Sequence, residues 1–491
     1  MDVAHRDHLL AAAHGFLAAA TLASCVLAEL LVFLLHRHDD AARLYLVPVS
    51  AMLLLLLYRV RRRRGTDDDI YLVDFSCLKP PRRLRIPVAG LLEHLTLIGC
   101  FDAGSVEFMT KVIESSGMGN ETYFPPSLHY IPPADTHGEA INEAHMLFFP
   151  TLDDLFAKTG VSPSAVGAVV VNCSGFCATP SLSSIIANHY RMRSDVIGYN
   201  LSGMGCAAGV IGVDVARNLI VTHDINYAVV VSAEIVTVGW YPGKDHSKLL
   251  LNCYFRTGCS AALITKNRRA AAGSSPPPVK YRLVSLTRTN QIANDRSYRS
   301  GYRDEDDEGI TGFTLGQGVG RMVSELLRAH LLTLSLSILP WREKLRYAVL
   351  LLTSPPHKRR HNKLSGAMPL PDFRTAANHF CLPSSGRPMI WRLGQGLGLG
   401  EKEMEAALMT FHRFGNQSAA SLWYQLAYME AKGRVRRGDT VWQLGIGSGL
   451  KANSLVWERV GDDDHGVTER NGRSTLGPWM ECIHKYPVTE A

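Results

Sequence analysis

The 491-residue chain carries a formal net charge of +7, with 46% hydrophobic and 20% charged residues. This composition excludes an intrinsically disordered protein and is typical of a globular chain long enough for more than one domain. Five of the positive charges lie in one short run, Arg59 and Arg61 to Arg64. Because the rest of the chain is near neutral, we expect no nucleic-acid partner.

Two apolar segments open the chain, at residues 9–35 and 44–58. The first is long enough to cross ~30 Å of hydrocarbon, whereas the second is short and contains Pro48. We interpret them as a transmembrane helical hairpin within an anchor that covers residues 1–64. One span followed by an interfacial helix is the alternative. The arginine run after residue 58 favours a cytosolic position for the rest of the chain.

After this anchor, short β-branched runs alternate with helical stretches. The predicted strands are 70–75, 168–172, 227–232, 347–352 and 440–444. Strands that alternate with helices predict a layered α/β fold. Proline- and glycine-rich residues between Arg268 and Lys280 predict a surface loop between the two halves.

The chain has ten cysteines and no C-x-x-C pair. In a chain of this length they do not indicate a disulfide framework, and no zinc-type spacing is present, so we expect buried thiols in a reducing compartment.

Cys206 is the exception among these cysteines. It lies in Gly203-Met204-Gly205-Cys206-Ala207-Ala208, where glycines permit a tight turn and small residues start a closely packed helix. The positive end of a helix dipole lowers a thiol pKa, which suits a nucleophile that forms a thioester. Without further context, an inert buried thiol is the alternative.

The chain resembles the plant 3-ketoacyl-CoA synthases over about residues 71–457. No single motif carries this resemblance; the common order of several does. The motifs are Asn172-Cys173-Ser174, Thr179-Pro180-Ser181-Leu182-Ser183, Gly203-Met204-Gly205-Cys206, Leu251-Asn252-Cys253-Tyr254-Phe255-Arg256 and Phe411-His412-Arg413-Phe414-Gly415-Asn416.

The resemblance implies a thiolase-like αβαβα layered sandwich built from two similar halves. The first half would span 65–270 and carry Cys206, and the second would span 271–460 and carry Asn416, with a C-terminal tail at 461–491. It also implies a homodimer, other elongase subunits as partners, and attachment to the endoplasmic reticulum membrane.

The reaction implied by the resemblance is a decarboxylating condensation of very-long-chain fatty acid elongation. A long acyl group moves from acyl-CoA to Cys206, and malonyl-CoA then loses CO₂ and attacks the acyl thioester. No metal or redox cofactor is implied.

Asn416 and a histidine would donate hydrogen bonds to the malonyl enolate in such a site. Asn416 matches the family position, although an asparagine after a glycine is also an ordinary turn residue. His412 matches as well, and either supports the site or is a satisfied structural histidine.

The expected donor histidine is replaced in this chain. The family pattern H-F-C-x-H-A-G-G-R reads here as His379-Phe380-Cys381-Leu382-Pro383-Ser384-Ser385-Gly386-Arg387. The first histidine is retained as His379, whereas the second is Pro383, which has no side-chain donor. Four residues of extended chain, roughly 13 Å, separate His379 from that position. Asn290 likewise stands where the family usually has a histidine.

Residues 445–449 read Gly-Ile-Gly-Ser-Gly. This spacing does not fit a dinucleotide fingerprint, and the resemblance favours a loop that lines the nucleophile pocket. Plain turn structure is the alternative.

Three functions compete on these observations. The first is an active 3-ketoacyl-CoA synthase. The second is a catalytically impaired relative that binds acyl-CoA or pairs with elongase subunits, as Pro383 suggests. The third is acyl transfer without decarboxylation. Cys206 and Asn416 favour retained thioester chemistry.

Overall fold

The computed structural model describes residues 69–266, 278–316, 318–353, 370–461 and 477–488. The chain from Asp69 onward forms one compact unit. Both predicted membrane segments, and most of the loop predicted between Arg268 and Lys280, lie outside the described residues.

Within these ranges the strands and helices alternate along the chain. The strands are β1 (Tyr71–Cys77), β2 (Arg85–Ile86), β3 (Thr122–Tyr123), β4 (Val166–Asn172), β5 (Ile197–Leu201), β6 (Tyr227–Ala233), β7 (Cys259–Thr265), β8 (Tyr281–Asn290), β9 (Gly301–Glu305), β10 (Thr311–Leu315), β11 (His379–Cys381), β12 (Thr440–Gly447) and β13 (Lys451–Arg459). The helices are α1 (Val88–Leu97), α2 (Ala103–Ser115), α3 (His137–Thr159), α4 (Leu182–His189), α5 (Ala208–Thr222), α6 (His246–Tyr254), α7 (Asp295–Tyr298), α8 (Val319–Ile338), α9 (Trp341–Thr353), α10 (Arg387–Gly396), α11 (Glu401–Phe414) and α12 (Ser421–Ala431).

A nine-stranded mixed sheet has the order β11-β12-β13-β8-β1-β7-β6-β4-β5. Its two parts repeat one pattern. In the first, β1 is antiparallel to β7, β7 is antiparallel to β6, and β6 is parallel to β4. In the second, β8, β13, β12 and β11 follow each other with the same three orientations. The parts meet where Tyr71 and Leu72 of β1 pair with β8.

Helices cover both faces of the sheet, which confirms the predicted α/β class. The central helix α5 packs against β4 and β6 of the first part and against β12 and β13 of the second. Gly212 permits this approach, because a Cβ there would lie 2.7 Å from Val230 Cγ1. On the outer faces, α3 packs on β1 and β7, and α8 packs on β8 and β13.

Among the described residues, one helical stretch, Gly205–Thr222, is long and apolar enough to cross a membrane. It belongs to the protein core, because 61% of it is buried and it includes α5. The described cysteines are free, and most are buried, as predicted.

Four of the five predicted strands are confirmed. The runs at 70–75, 168–172, 227–232 and 440–444 form parts of β1, β4, β6 and β12.

The prediction of a strand at 347–352 is wrong, because these residues belong to α9. A short apolar run does not distinguish a strand from a helix. The burial pattern is that of a helix, since Trp341, Leu345 and Val349 are exposed at a spacing of four residues, whereas Glu343 and Tyr347 are buried at the same spacing.

Candidate active site

Cys206 lies on a turn between a strand and a buried helix. The chain leaves β5, passes through Gly203 and Gly205, both with positive φ, and enters a 3₁₀ turn at Gly205–Ala207 that leads directly into α5. Gly205 is required here, because a Cβ would lie 2.6 Å from the backbone nitrogen of Ser448. The predicted strand–turn–helix arrangement is confirmed.

The glycine segment at 445–449 packs against this turn. A Cβ on Gly447 would lie 2.2 Å from the carbonyl oxygen of Met204, and one on Gly445 would lie 3.1 Å from Ala207 Cα. These glycines therefore let the end of β12 approach the Cys206 turn at backbone distance. Residues 445–447 belong to β12 and 448–450 form a turn, so the prediction of a loop is wrong for the first part of the segment.

Gly447→Ala is expected to displace the turn that carries Cys206. The added methyl group meets a backbone oxygen, which cannot rotate away as a side chain would. We expect acyl loading to fall on the order of tenfold, since misplacing a reacting group by a fraction of an ångström is costly. Intact-mass measurement of the acyl-enzyme after incubation with acyl-CoA gives the loading rate.

Gly320→Ala is the matched control for this variant, because a Cβ at Gly320 meets nothing within 4 Å. It should load acyl groups at the wild-type rate. Equal loading by both variants would contradict the close packing of β12 on the nucleophile turn.

Hydrogen bonds hold the backbone and the side-chain oxygen of Asn416 at the end of α11, and they leave its side-chain nitrogen as a donor. Gly415 at positive φ ends the helix, and the backbone of Asn416 bonds to Tyr254 and Arg256 at 2.9 Å each. Its side-chain Oδ1 accepts a hydrogen bond from the Ser418 backbone nitrogen at 2.8 Å. No residue of the described ranges is recorded as a partner of Nδ2, so this N–H group remains a candidate donor to a ligand.

Ser418 connects the Asn416 turn to Cys206. Its hydroxyl donates to Cys206 Sγ at 3.6 Å. The structure thus brings together Cys206 and the Asn416 turn, which are 210 positions apart in the sequence.

Two residues of the site, Ser418 and Glu234, were missed by the sequence analysis. Glu234 directly follows β6, and its Oε1 accepts hydrogen bonds from the Gly175 backbone nitrogen at 2.6 Å and from Cys173 Sγ at 3.6 Å. Because β4 and β6 are parallel, the residues that follow them meet at one sheet edge. Glu234 could have been identified from the sequence as a charged residue directly after a predicted buried strand.

Burial raises the pKa of the Cys206 thiol to about 11, although the Ser418 hydrogen bond lowers it. The Glu234 carboxylate raises it further by charge repulsion. The predicted low thiol pKa is therefore wrong for the free protein. The free energy cost of desolvating the thiolate outweighs the stabilisation by the start of α5, so the Cys206 thiol is protonated at neutral pH.

Alkylation of Cys206 by iodoacetamide should accordingly rise about tenfold per pH unit between pH 7 and 10, because only the thiolate reacts. Glu234→Gln removes the repelling charge and lowers the pKa, so it should speed alkylation at pH 8. Ser418→Ala removes a stabilising hydrogen bond and should slow it. Peptide mass spectrometry measures Cys206 separately from the exposed Cys177, and a pH-independent rate at Cys206 would refute the raised pKa.

His379 is not brought to the nucleophile. It lies on β11 opposite Val441, and its Nε2 is 2.8 Å from Asp439 Oδ2. The Cys206 turn contacts the other end of β12, at Gly445 and Gly447, which is roughly 13–20 Å further along the strand. The Asp439 partner gives His379 a structural role in joining β11 to the start of β12.

His412 also has structural contacts. Its Nδ1 is 3.2 Å from the Gly117 carbonyl oxygen, its ring lies 6.4 Å from that of Tyr486, and its own carbonyl oxygen accepts a bond from Gly119. Burial lowers its pKa. No contact among the described residues links its side chain to Cys206.

Pro383 is buried just beyond β11. The parallel register ends where Cys381 pairs with Gln443, two residues before Pro383. Leu382, between them, bonds to the Gln425 side chain. Proline has no side-chain donor, and the loss of a catalytic donor at this position stays a prediction.

Asn290 is exposed at the end of β8, where it pairs in register with Lys451. Within the described ranges, no group of three or more His, Cys, Asp or Glu side chains is placed to hold a metal ion.

Comparisons with known proteins agree with this geometry. The family described as FAE1/Type III polyketide synthase-like protein matches residues 58–355, and 3-oxoacyl-(acyl-carrier-protein) synthase III C terminal matches residues 376–459. The fungal type III polyketide synthase ORAS superposes with a TM-score of 0.60 at 15% identity, covering 79% of this chain and 99% of that one. CsyB complexed with CoA-SH gives 0.59 at 15% identity, covering 79% and 100%. These likenesses show a thiolase-like α/β fold.

Sequence relatives are more specific than the fold. 3-Ketoacyl-CoA synthase 4 of Arabidopsis thaliana is 43% identical over 435 residues, which cover 89% of this chain and 80% of that protein. Identity at this level over most of both chains, together with the family match across the nucleophile, shows that the chain belongs to the 3-ketoacyl-CoA synthase family.

Proposed function

We propose that this chain condenses long-chain acyl-CoA with malonyl-CoA to give a 3-ketoacyl-CoA two carbons longer, in very-long-chain fatty acid synthesis. The observation that carries the proposal is the meeting of Cys206, at the start of the buried helix α5, with the turn that presents Asn416. Family membership supports the same reaction.

In the loading step, Cys206 Sγ attacks the thioester carbonyl carbon of acyl-CoA. The new carbon–sulfur bond forms on the enzyme as the bond to CoA breaks. The thiol proton leaves with the CoA thiolate, so the released product is CoA-SH. Because the thiol pKa of the free protein is about 11, loading is expected to be slow at neutral pH unless the bound substrate changes the environment of the thiol.

In the condensation step, malonyl-CoA loses CO₂ and its enolate attacks the acyl carbonyl carbon on Cys206. The new carbon–carbon bond forms as the carbon–sulfur bond to Cys206 breaks, which releases the 3-ketoacyl-CoA. Cys206 leaves as a thiolate and takes up a proton, so the free thiol is restored. Negative charge develops on the enolate oxygen, and a preorganised donor stabilises it. Asn416 Nδ2 is suited to this role, because Oδ1 of the same amide accepts the Ser418 backbone N–H and no described residue bonds to Nδ2. The second donor of the family pattern is lost at Pro383, so condensation should be slow but measurable.

The alternative of a catalytically impaired binding partner is not favoured, since the relatives that cover most of this chain are named as synthases.

An experiment distinguishes condensation from acyl transfer without decarboxylation. Microsomes with this chain should release labelled CO₂ from malonyl-CoA labelled at its free carboxyl carbon, and only when a long-chain acyl-CoA is present. No acyl-dependent release above a Cys206→Ser control would reject condensation.

The remaining proposals concern location and assembly. We place residues 1–64 in the endoplasmic reticulum membrane and the body in the cytosol, on the strength of the two apolar segments and the arginine run. Resistance to carbonate extraction and digestion of the body by protease outside sealed microsomes test both points. A homodimer and association with other elongase subunits are supported by family membership. The edge strand β5 could carry the homodimer contact, since Tyr199 on it is exposed.

A further inference from the structure

An exposed apolar surface lies on two consecutive helices, α8 and α9. Its members are large side chains that face solvent instead of the core, here named the interfacial patch: Leu332, Leu336, Trp341, Leu345 and Val349. Leu336 is 75% exposed, Trp341 is 69% exposed and Leu345 is 57% exposed. Burying such groups in an apolar medium is favourable, so an exposed cluster of them indicates a binding surface.

The patch occupies one side of each helix and is separate from the side that packs on the core. Its members recur every four residues within each helix, which puts them on one side of that helix. The other side of α8 already packs on β8 and β13 through Leu327, Leu331 and Leu334. Lys344 Nζ donates to the Leu336 carbonyl oxygen at 2.8 Å, and this bond ties the two helices together.

Cations surround the patch at the start of α9. Residues 341–346 read Trp-Arg-Glu-Lys-Leu-Arg, with three basic side chains and one acidic one. The Arg342 guanidinium carbon lies 5.7 Å from the centre of the Trp341 ring, and Arg346 is exposed beside its partner Glu343. Tryptophan and leucine on one face with arginine and lysine at its rim are typical of helices that lie in the headgroup region of a bilayer.

We infer that the interfacial patch inserts into the surface of a phospholipid bilayer that contains anionic lipid. Leu336, Trp341 and Leu345 would enter the acyl boundary, while Arg342 and its neighbours bind headgroup phosphates. The inference goes beyond the proposed function, because it gives the chain a second membrane attachment point besides residues 1–64. The substrate of the proposed reaction carries a long acyl chain. A second copy of the chain is the weaker candidate for the partner that covers the patch. The homodimer contact proposed above lies on the edge strand β5, at the end of the sheet and away from β8 and β13, on which α8 packs.

Site-specific photocrosslinking in the full-length chain tests this placement. Leu336→p-benzoylphenylalanine is reconstituted in vesicles of radiolabelled phosphatidylcholine, with and without phosphatidylserine, and irradiated. Leu97→p-benzoylphenylalanine is the control, since Leu97 is an apolar helix residue that is 57% exposed, compared with 75% for Leu336. The position-336 variant should carry several-fold more labelled lipid than the position-97 variant, and more still with phosphatidylserine.

Two outcomes would overturn the inference. One is equal lipid labelling at positions 336 and 97. The other is a crosslink from position 336 to protein, which would identify a second copy or a different protein as the occupant. Repeating the labelling on a Cys206→Ser background separates the inference from the proposed function, because lipid contact at position 336 requires no turnover.

Discussion

Cys206→Ser should abolish both the acyl-enzyme and chain extension. Serine is close in size to cysteine and retains a hydrogen-bonding group towards Ser418, so the turn and α5 are expected to fold normally. An alcohol at this position stays protonated and is a far weaker nucleophile towards a thioester than a thiol. Loss of the nucleophile in an enzyme with a covalent intermediate typically costs ~10⁴ or more in turnover.

Intact-mass analysis after incubation with long-chain acyl-CoA measures the acyl-enzyme. The wild type should gain the mass of one acyl group, and Cys206→Ser should gain none. Cys177→Ser is the control, because this exposed cysteine lies outside the contacts of the site. The same adduct on the wild type and on Cys206→Ser would assign the acyl group to another residue.

Pro383→His should raise malonyl decarboxylation by ~10²–10³, the usual value of one preorganised donor. This position lies two residues beyond the last pair of β11 with β12, and Gly445, two residues beyond that pair on β12, packs against the Cys206 turn. The backbone there is well held, since Gln425 bonds to both the nitrogen and the carbonyl oxygen of Leu382. A protonated imidazole near Cys206 would also lower the thiol pKa and speed loading.

Pro383→Ala is the matched control, because it frees the backbone but adds no donor. It should stay near wild-type activity, so that any gain with histidine reflects the imidazole. The contrary result is wild-type turnover of ~1 s⁻¹ or more, in the normal enzyme range, with Pro383→His neutral or harmful. It would mean that another group already supplies the donor.

The sequence predicted the elements whose signal is local. The buried strands β1, β4, β6 and β12 were predicted from β-branched runs, and the turn at Cys206 from its glycines. The helix α9 was mistaken for a strand, because a short apolar run such as 347–352 has no periodicity that distinguishes a strand from a helix.

The site could be predicted only in part, because its contacts join distant segments. Cys206 and Asn416 were identified through motifs around each of them. Ser418 and Glu234 have no such motif, and their roles depend on the pairing of β4 with β6 and on the turn after α11. The pKa of the Cys206 thiol depends mainly on its burial, and a predicted helix start does not show how deeply the thiol is buried. His379 is the opposite case, because it matches a family motif but pairs with Asp439, away from Cys206.

The central claim is that this chain condenses acyl-CoA with malonyl-CoA through Cys206. The most direct measurement is mass spectrometry of the acyl-CoA pool after wild-type protein in microsomes receives a long-chain acyl-CoA and malonyl-CoA labelled with ¹³C at C1 and C2. We predict a 3-ketoacyl-CoA two carbons longer, with both labelled carbons retained, formed by the wild type and faster by Pro383→His. No such product from either protein, or equal product from Cys206→Ser, would contradict the claim.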